Sequence, residues 1–188
     1  MLTCSNCGRV NPDDAAFCMA CATPLTSAVP AREQRKTITV LFCDLVGSTT
    51  LAERHDPEVL RPVLQSYFET MRAAVERHGG RVEKFIGDAV VAVFGMPAVH
   101  EDDALRAIRA ASEMRDGLAM LAEGSAVELV SRIGITTGEV LVGGEDQPVV
   151  GDPMNTAARL QTAAEPGEIL MGEATYRLVK DAVVTERM

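Results

Sequence analysis

The chain has 188 residues, of which 47% are hydrophobic and 24% charged; this suits one globular domain with a small appendage and excludes a disordered tail. A formal net charge of −9 leaves too few clustered cations for indiscriminate binding to nucleic-acid backbones or anionic lipid, while a nucleotide carried with divalent cations stays compatible. The longest nearly apolar stretch, Ala89 to Val99, is broken by Gly95 and Pro97 and is too short to cross a bilayer; with no secretory-type leader ahead of Cys4, the expected location is cytoplasmic.

Four of the five cysteines fall in the first 21 residues as Cys4-Ser-Asn-Cys7 and Cys18-Met-Ala-Cys21, ten residues apart. Each pair can form a knuckle that presents two thiolates to one tetrahedral ion, and zinc is the natural occupant; a redox dithiol pair is the alternative. About 25 residues bury too little apolar surface to fold alone, so the metal would supply the folding free energy. Ala22 to Lys36 carries Pro24, Pro30 and mixed charge without apolar periodicity, and reads as a linker.

From Thr37 the run Ile38-Thr-Val40-Leu-Phe42-Cys predicts a buried strand that ends on Asp44. A Gly-Ser-Thr-Thr turn follows, and Asp56-Pro57 caps a helix with Leu60, Val63, Leu64, Tyr67, Phe68, Met71 and Val75 at helical spacing, stopped by Gly79-Gly80. Arg81 to Ile86 and Ala89 to Phe94 read as a hairpin joined at Gly87-Asp88. Glu101 to about Leu121 reads as a second amphipathic helix. Val127 to Ile135 and Glu139 to Val142 read as strands flanking a Thr-Thr-Gly turn; Asp152 to Ala164 is a third helix, Glu168 to Met171 a strand and Ala174 to Val179 a last helix. The alternation predicts helices packed on a mixed sheet.

Asp44 and Asp88 stand where packing explains a carboxylate poorly. Each taken alone favours a turn or capping aspartate. Brought together they would repel, and a pair of divalent ions whose shells are completed by nucleotide phosphates is the usual remedy. Asn155 and Arg159, four apart on the third helix, can reach one ligand or simply form an exposed polar face. Cys43, beside Asp44 on a buried strand, reads as core.

Four ordered motifs carry a resemblance over roughly Thr37 to Val179: Phe42-Cys-Asp44-Leu-Val-Gly-Ser-Thr, Lys84-Phe-Ile-Gly-Asp88-Ala-Val-Val-Ala-Val-Phe-Gly, Arg132-Ile-Gly-Ile-Thr-Thr-Gly-Glu-Val and Gly151-Asp-Pro-Met-Asn155-Thr-Ala-Ala-Arg159-Leu. They resemble the class III nucleotidyl cyclase catalytic domain, and the zinc ribbon ahead of them is similar to the arrangement of bacterial multidomain cyclases. The resemblance implies an α+β, ferredoxin-like (palm-type) fold in a domain over residues 37–188, after a ribbon at 1–25 and a linker at 26–36. It implies conversion of a nucleoside triphosphate to its 3′,5′-cyclic monophosphate and pyrophosphate. Asp44, Asp88 and the Leu45 carbonyl match the family's ligands for two Mg²⁺ or Mn²⁺ ions, and Gly47, Ser48 and Thr49 lead into a helix start where phosphate can rest. Asn155 matches the ribose-orienting residue, Arg159 the transition-state arginine and Lys84 the base-reading lysine, whose ammonium suits N1 of adenine better than the N–H of guanine. The lesser alternative for Lys84 is an ordinary edge-strand lysine that discourages aggregation. Pro148 stands at the second base-reading position, where the family commonly has Asp or Thr. The sequence stops at Met188, before the terminal strand pair on which the family carries a triphosphate-binding lysine. Because metal ligands and the Asn and Arg come from opposite subunits in the family, the resemblance implies a homodimer with two composite sites. The expectation is an adenylyl cyclase. A dimeric nucleotide-binding regulatory module without activity is the alternative, and a nucleic-acid-binding ribbon on a scaffold ranks last, given the acidic balance and an aromatic content of 4%.

Overall fold

The computed structural model describes residues 1–25, 34–123, 129–142 and 151–186, apart from the side chains of Thr49 and Ala52. The chain divides into two compact units, with the boundary nearest the N-terminus between Gln34 and Arg35. Most of the expected linker, residues 26–33, and the start of the strand expected at Val127 lie outside the described residues.

In the first unit, β1 (Leu2–Thr3) pairs antiparallel with β2 (Val10–Asn11), Leu2 opposite Asn11. Two tight turns follow from the Cys-x-x-Cys spacing: Gly8 N–H donates to the Cys4 carbonyl and Ala22 N–H to that of Cys18, both at 2.9 Å. Gly8 takes φ 72° there, which glycine reaches without strain. Asn11, 2% exposed, joins the turns by donating to the Arg9 carbonyl at 2.8 Å and accepting the Met19 N–H at 3.0 Å.

The second unit runs β3 (Gln34–Leu45), α1 (Ser48–Arg54), α2 (Pro57–Arg77), β4 (Arg81–Ile86), β5 (Ala89–Phe94), α3 (Asp103–Glu123), β6 (Ser131–Val142), α4 (Asp152–Ala163), β7 (Ile169–Met171) and α5 (Glu173–Val179). Its sheet has the order β4-β5-β3-β6-β7, antiparallel at β4/β5 and β5/β3 and parallel at β6/β7. Thr39 and Thr137 share a hydroxyl hydrogen bond at 2.9 Å, and Val46 N–H donates to the Val130 carbonyl at 2.8 Å. These two contacts set an antiparallel β3/β6 register in which Asp44 stands opposite Arg132. This is the mixed α+β sheet that the motifs imply.

Side chains alternate across a strand, so the sheet has two distinct faces. Leu41, Cys43, Leu45, Val90, Ala92, Phe94, Ile133 and Ile135 form the core with Tyr67, Met71 and Val75 of α2 and Ala107, Ala111 and Met114 of α3. Gly134 lies on the opposite face and seats α4: a Cβ built on it would fall 2.3 Å from the Ala157 carbonyl oxygen and from the Gln161 amide nitrogen. Only glycine permits an approach that close.

Three elements depart from the sequence reading. Ser48–Arg54 is a helix where the local pattern reads as a turn, in line with the helix start that the resemblance implies; Gly47, at φ 70°, reverses the chain ahead of it and its carbonyl accepts the Leu51 N–H at 2.9 Å. Ser131–Val142 is one strand, not two around a Thr-Thr-Gly turn. Thr137 bonds outward to Thr39 and to Thr175, and Gly138 packs against Pro153, so long-range contacts hold the segment extended. β3 begins at Gln34, inside the expected linker, with Lys36 donating to the Pro97 carbonyl at 2.8 Å. The hairpin agrees residue for residue, and Gly87 supplies the φ of 63° that its tight turn needs. α2 starts at Pro57 as expected, but Asp56 caps through its backbone carbonyl, which accepts from Val59 and Leu60, and not through its side chain. Pro62 lies inside the unbroken helix.

Candidate active site

Asp44 is the penultimate residue of β3, and Asp88 is the second residue of the β4–β5 turn. Because β5 pairs with β3 up to Cys43 opposite Val90, the pairing carries the turn to the end of β3. The Asp88 carboxylate accepts the Leu45 N–H through Oδ2 at 3.3 Å, and the Asp88 carbonyl accepts the Tyr67 hydroxyl at 2.8 Å. Tyr67 is fully buried, so α2 pins the turn from beneath. Loss of water raises the Asp44 carboxyl above its usual range, the charge of Asp88 and a hydrogen bond with it raise it further, and the Arg132 guanidinium opposes both. Two acids so placed form a hard-oxygen donor set whose repulsion a divalent cation relieves, so these residues fit Mg²⁺ or Mn²⁺.

Two donors converge on Asp44 from other elements. Arg132 Nη2, on β6, lies 3.4 Å from Asp44 Oδ2, and Gln161 Nε2, on α4, lies 3.3 Å from the same oxygen. The side chains of Asp44 and Arg132 are 26% and 30% exposed, and Gln161 is 8% exposed. Arg132 Nε is buried without a partner among the described residues. Beneath the pair, burial pushes the Cys43 thiol up to about 12, with Ser131 and Tyr67 as its neighbours; it stays neutral as part of the core.

Of the other expected residues, Leu45 adjoins both acids through its N–H on Asp88, while Lys84, Asn155 and Arg159 stand on other elements. Lys84 is exposed on β4, one of the two edge strands among the described residues, opposite Val91. Asn155 and Arg159 are exposed on α4, whose buried face is Pro153, Ala157 and Gln161. Arg159 is two residues from Gln161, about 200° around the helix, so it points away from Asp44 of its own chain. Gly47 and Ser48 precede and open α1, and Leu45 is buried by its side chain. Pro148 and the Thr49 side chain lie outside the described residues. The sequence reading quoted Arg132 only as the start of a motif and Tyr67 only as a core position of α2, and missed Gln161 and Asn11. A charged residue within a largely buried strand is the signal that marks Arg132; Gln161 and Asn11 have none without tertiary contacts.

Residues 31–187 match the adenylate and guanylate cyclase catalytic domain. The chain belongs to this cyclase family. Among solved structures similar to it are the adenylyl cyclase CyaB from P. aeruginosa and the guanylyl cyclase domain of the RhoGC fusion protein from the aquatic fungus Blastocladiella emersonii. The first is 34% identical at a TM-score of 0.75, covering 81% of this chain and 85% of that one. The second is 28% identical at a TM-score of 0.75, covering 82% and 91%. An uncharacterised protein of Mycobacterium tuberculosis is 33% identical over 148 residues, covering 73% of this chain and 26% of the relative. The chain thus spans about a quarter of the length of the curated relatives it matches. Among the described residues, no helix of this cyclase domain or its ribbon is long and apolar enough to cross a membrane.

Residues 3–25 match a zinc-ribbon domain. The Sγ atoms of Cys4, Cys7, Cys18 and Cys21 all lie within 4.8 Å of one another, with Cys4–Cys21 and Cys7–Cys18 at 3.6 Å and Cys7–Cys21 at 3.4 Å. A tetrahedral ion with Zn–S of about 2.3 Å needs sulfurs about 3.8 Å apart, so the four cysteines fit one zinc. The Thr23 hydroxyl and N–H hold the Cys21 thiol down to about 6, close to the thiolate a metal requires.

Proposed function

We infer that this cyclase domain is an adenylyl cyclase that converts ATP to 3′,5′-cyclic AMP and pyrophosphate. The observation that carries the reading is the convergence of Asp44 and Asp88 at the end of β3, with Arg132 beside them. In the reaction the ribose 3′-oxygen forms a bond to the α-phosphorus, the bond from that phosphorus to the β-phosphate oxygen breaks, pyrophosphate leaves, and the hydroxyl proton is lost. Asp44, Asp88 and the Leu45 carbonyl would hold two Mg²⁺ or Mn²⁺ ions, which when bound make the 3′-hydroxyl more acidic and neutralise the triphosphate. Arg132 places a fixed positive charge beside the same oxygens and can follow the phosphates. Asn155 orients the ribose, and the Arg159 guanidinium stabilises charge on the α-phosphoryl oxygens. Lys84 favours adenine by donating to its unprotonated N1.

Asn155 and Arg159 face away from the acids of their own chain, and this supports a homodimer in which each site takes its acids from one subunit and its Asn and Arg from the other. The domain division that accompanies this reading is a zinc-binding ribbon over residues 1–25, a linker that ends where β3 begins at Gln34, and the catalytic domain after it. ATP as substrate and reduced thiols in the ribbon support a cytoplasmic setting. The test mixes Asp44→Ala and Arg159→Ala chains with Mn²⁺ and either ATP or GTP and separates the products chromatographically. Each variant alone is inactive, and the mixture regains up to a quarter to a half of the parent activity as cyclic AMP, since a mixed dimer keeps one intact site. Cyclic GMP as the main product would overturn the base assignment. Confirmed mixed dimers without product would overturn the shared site and favour a nucleotide-binding regulatory module.

A further inference from the structure

We propose that Gln161 is a positioning residue for Asp44, fixing the carboxylate for its cation from the same helix that presents Asn155 and Arg159 outward. The proposal rests on the reading that Asp44 holds a divalent cation. Gln161 is the one amide on the buried face of α4, beside Pro153 and Ala157, where an aliphatic side chain would fill the same space without polar atoms to satisfy. Its Nε2 instead donates to Asp44 Oδ2 at 3.3 Å, across 117 residues of sequence. The helix backbone at Gln161 rests directly on Gly134, with no room for a Cβ between them.

The chemistry of the donor matters. An amide N–H fixes the plane of a carboxylate and leaves its full negative charge for a cation, whereas a second guanidinium would compete with the cation electrostatically. Arg132 and Gln161 both use Oδ2 of Asp44. Partners that orient a ligating carboxylate in this way commonly contribute 10- to 100-fold in metal affinity. One further consequence follows from the face-to-face division of α4: the helix that supplies Asn155 and Arg159 to one composite site also fixes the metal carboxylate of the other.

Gln161→Met and Gln161→Leu keep the volume and helix propensity and remove the donor. Mn²⁺ binding to the full chain, followed by the loss of the free-ion electron paramagnetic resonance signal, tests the proposal without turnover, with Asp44→Ala as the reference for ions bound elsewhere. We expect Asp44-dependent affinity to fall about tenfold or more in both variants, while the thermal midpoint without added Mn²⁺ stays within a few degrees of the parent. In the mixed dimer of Asp44→Ala and Arg159→Ala chains, Gln161→Met should raise the half-saturating Mn²⁺ only on the Arg159→Ala chain, which supplies the working Asp44. Unchanged affinity in a folded variant, or an equal rise from either chain, would overturn the proposal and leave Gln161 as packing for α4. If the parent and Asp44→Ala bind Mn²⁺ alike, the metal reading itself fails and the proposal falls with it.

Discussion

Gly134→Ala tests how α4 is held against the sheet. The added methyl would sit 2.3 Å from the Ala157 oxygen and the Gln161 nitrogen, both of them helix backbone that no rotamer change can move aside. Ordinary carbon contacts begin near 3.5 Å, so the helix must lift by roughly 1 Å. Overpacking of this kind costs about 1 to 3 kcal/mol, and backbone against backbone belongs at the upper end. Replacing glycine in a strand returns up to about 1 kcal/mol of chain entropy, which leaves a net loss of about 2 kcal/mol. For a domain of this size that lowers the thermal midpoint by about 4 to 8 °C, measured by scanning calorimetry on the full chain. The same lift stretches the Gln161–Asp44 contact from 3.3 Å beyond hydrogen-bonding range, so Mn²⁺ binding should weaken in parallel. A midpoint within 1 °C of the parent would refute the close seat on Gly134.

Tyr67→Phe removes the hydroxyl that donates to the Asp88 carbonyl at 2.8 Å and leaves the ring packed on Phe68, 5.0 Å between centroids; a half-buried carbonyl then lacks its partner, so urea unfolding should show a loss of about 1 kcal/mol, and no loss would mean the turn is held without it. Stripping the ribbon with a strong zinc chelator should collapse the amide dispersion of residues 1–25 in a nitrogen–proton correlation spectrum while the signals of the cyclase domain persist, because structural zinc contributes about 10 to 16 kcal/mol that so short a segment cannot replace. Dispersion that survives chelation would show that the ribbon folds without its ion.

Local signals were enough wherever a short stretch decides its own structure. The hairpin follows from two alternating runs joined by Gly87-Asp88, α2 from Pro57 and its apolar spacing, and the ribbon from its cysteine intervals. Where a neighbour decides, the sequence misleads: Thr136-Thr137-Gly138 looks like a turn until Thr39, Thr175 and Pro153 are placed against it. The candidate site divides in the same way. Asp44 and Asp88 are visible as acids in the wrong company, but Arg132 and Gln161 reach Asp44 from 88 and 117 residues away, and no periodicity encodes those meetings.

The central strand raises a different question, that of alignment. From Ile38 to Leu41 every residue of β3 is buried, so both faces are apolar or small and a shift by one residue would meet little hydrophobic resistance. Such a slip would turn Cys43 to the face where Asp44 belongs and push a carboxylate into the core. The marks that forbid it are polar: Thr39 against Thr137 near one end of the strand and Asp44 against Arg132 at the other. The proposed metal ligand Asp44 and its partner Arg132 therefore also proofread the strand, and replacing Asp44 by an apolar residue would erase a proposed ligand and an alignment mark together.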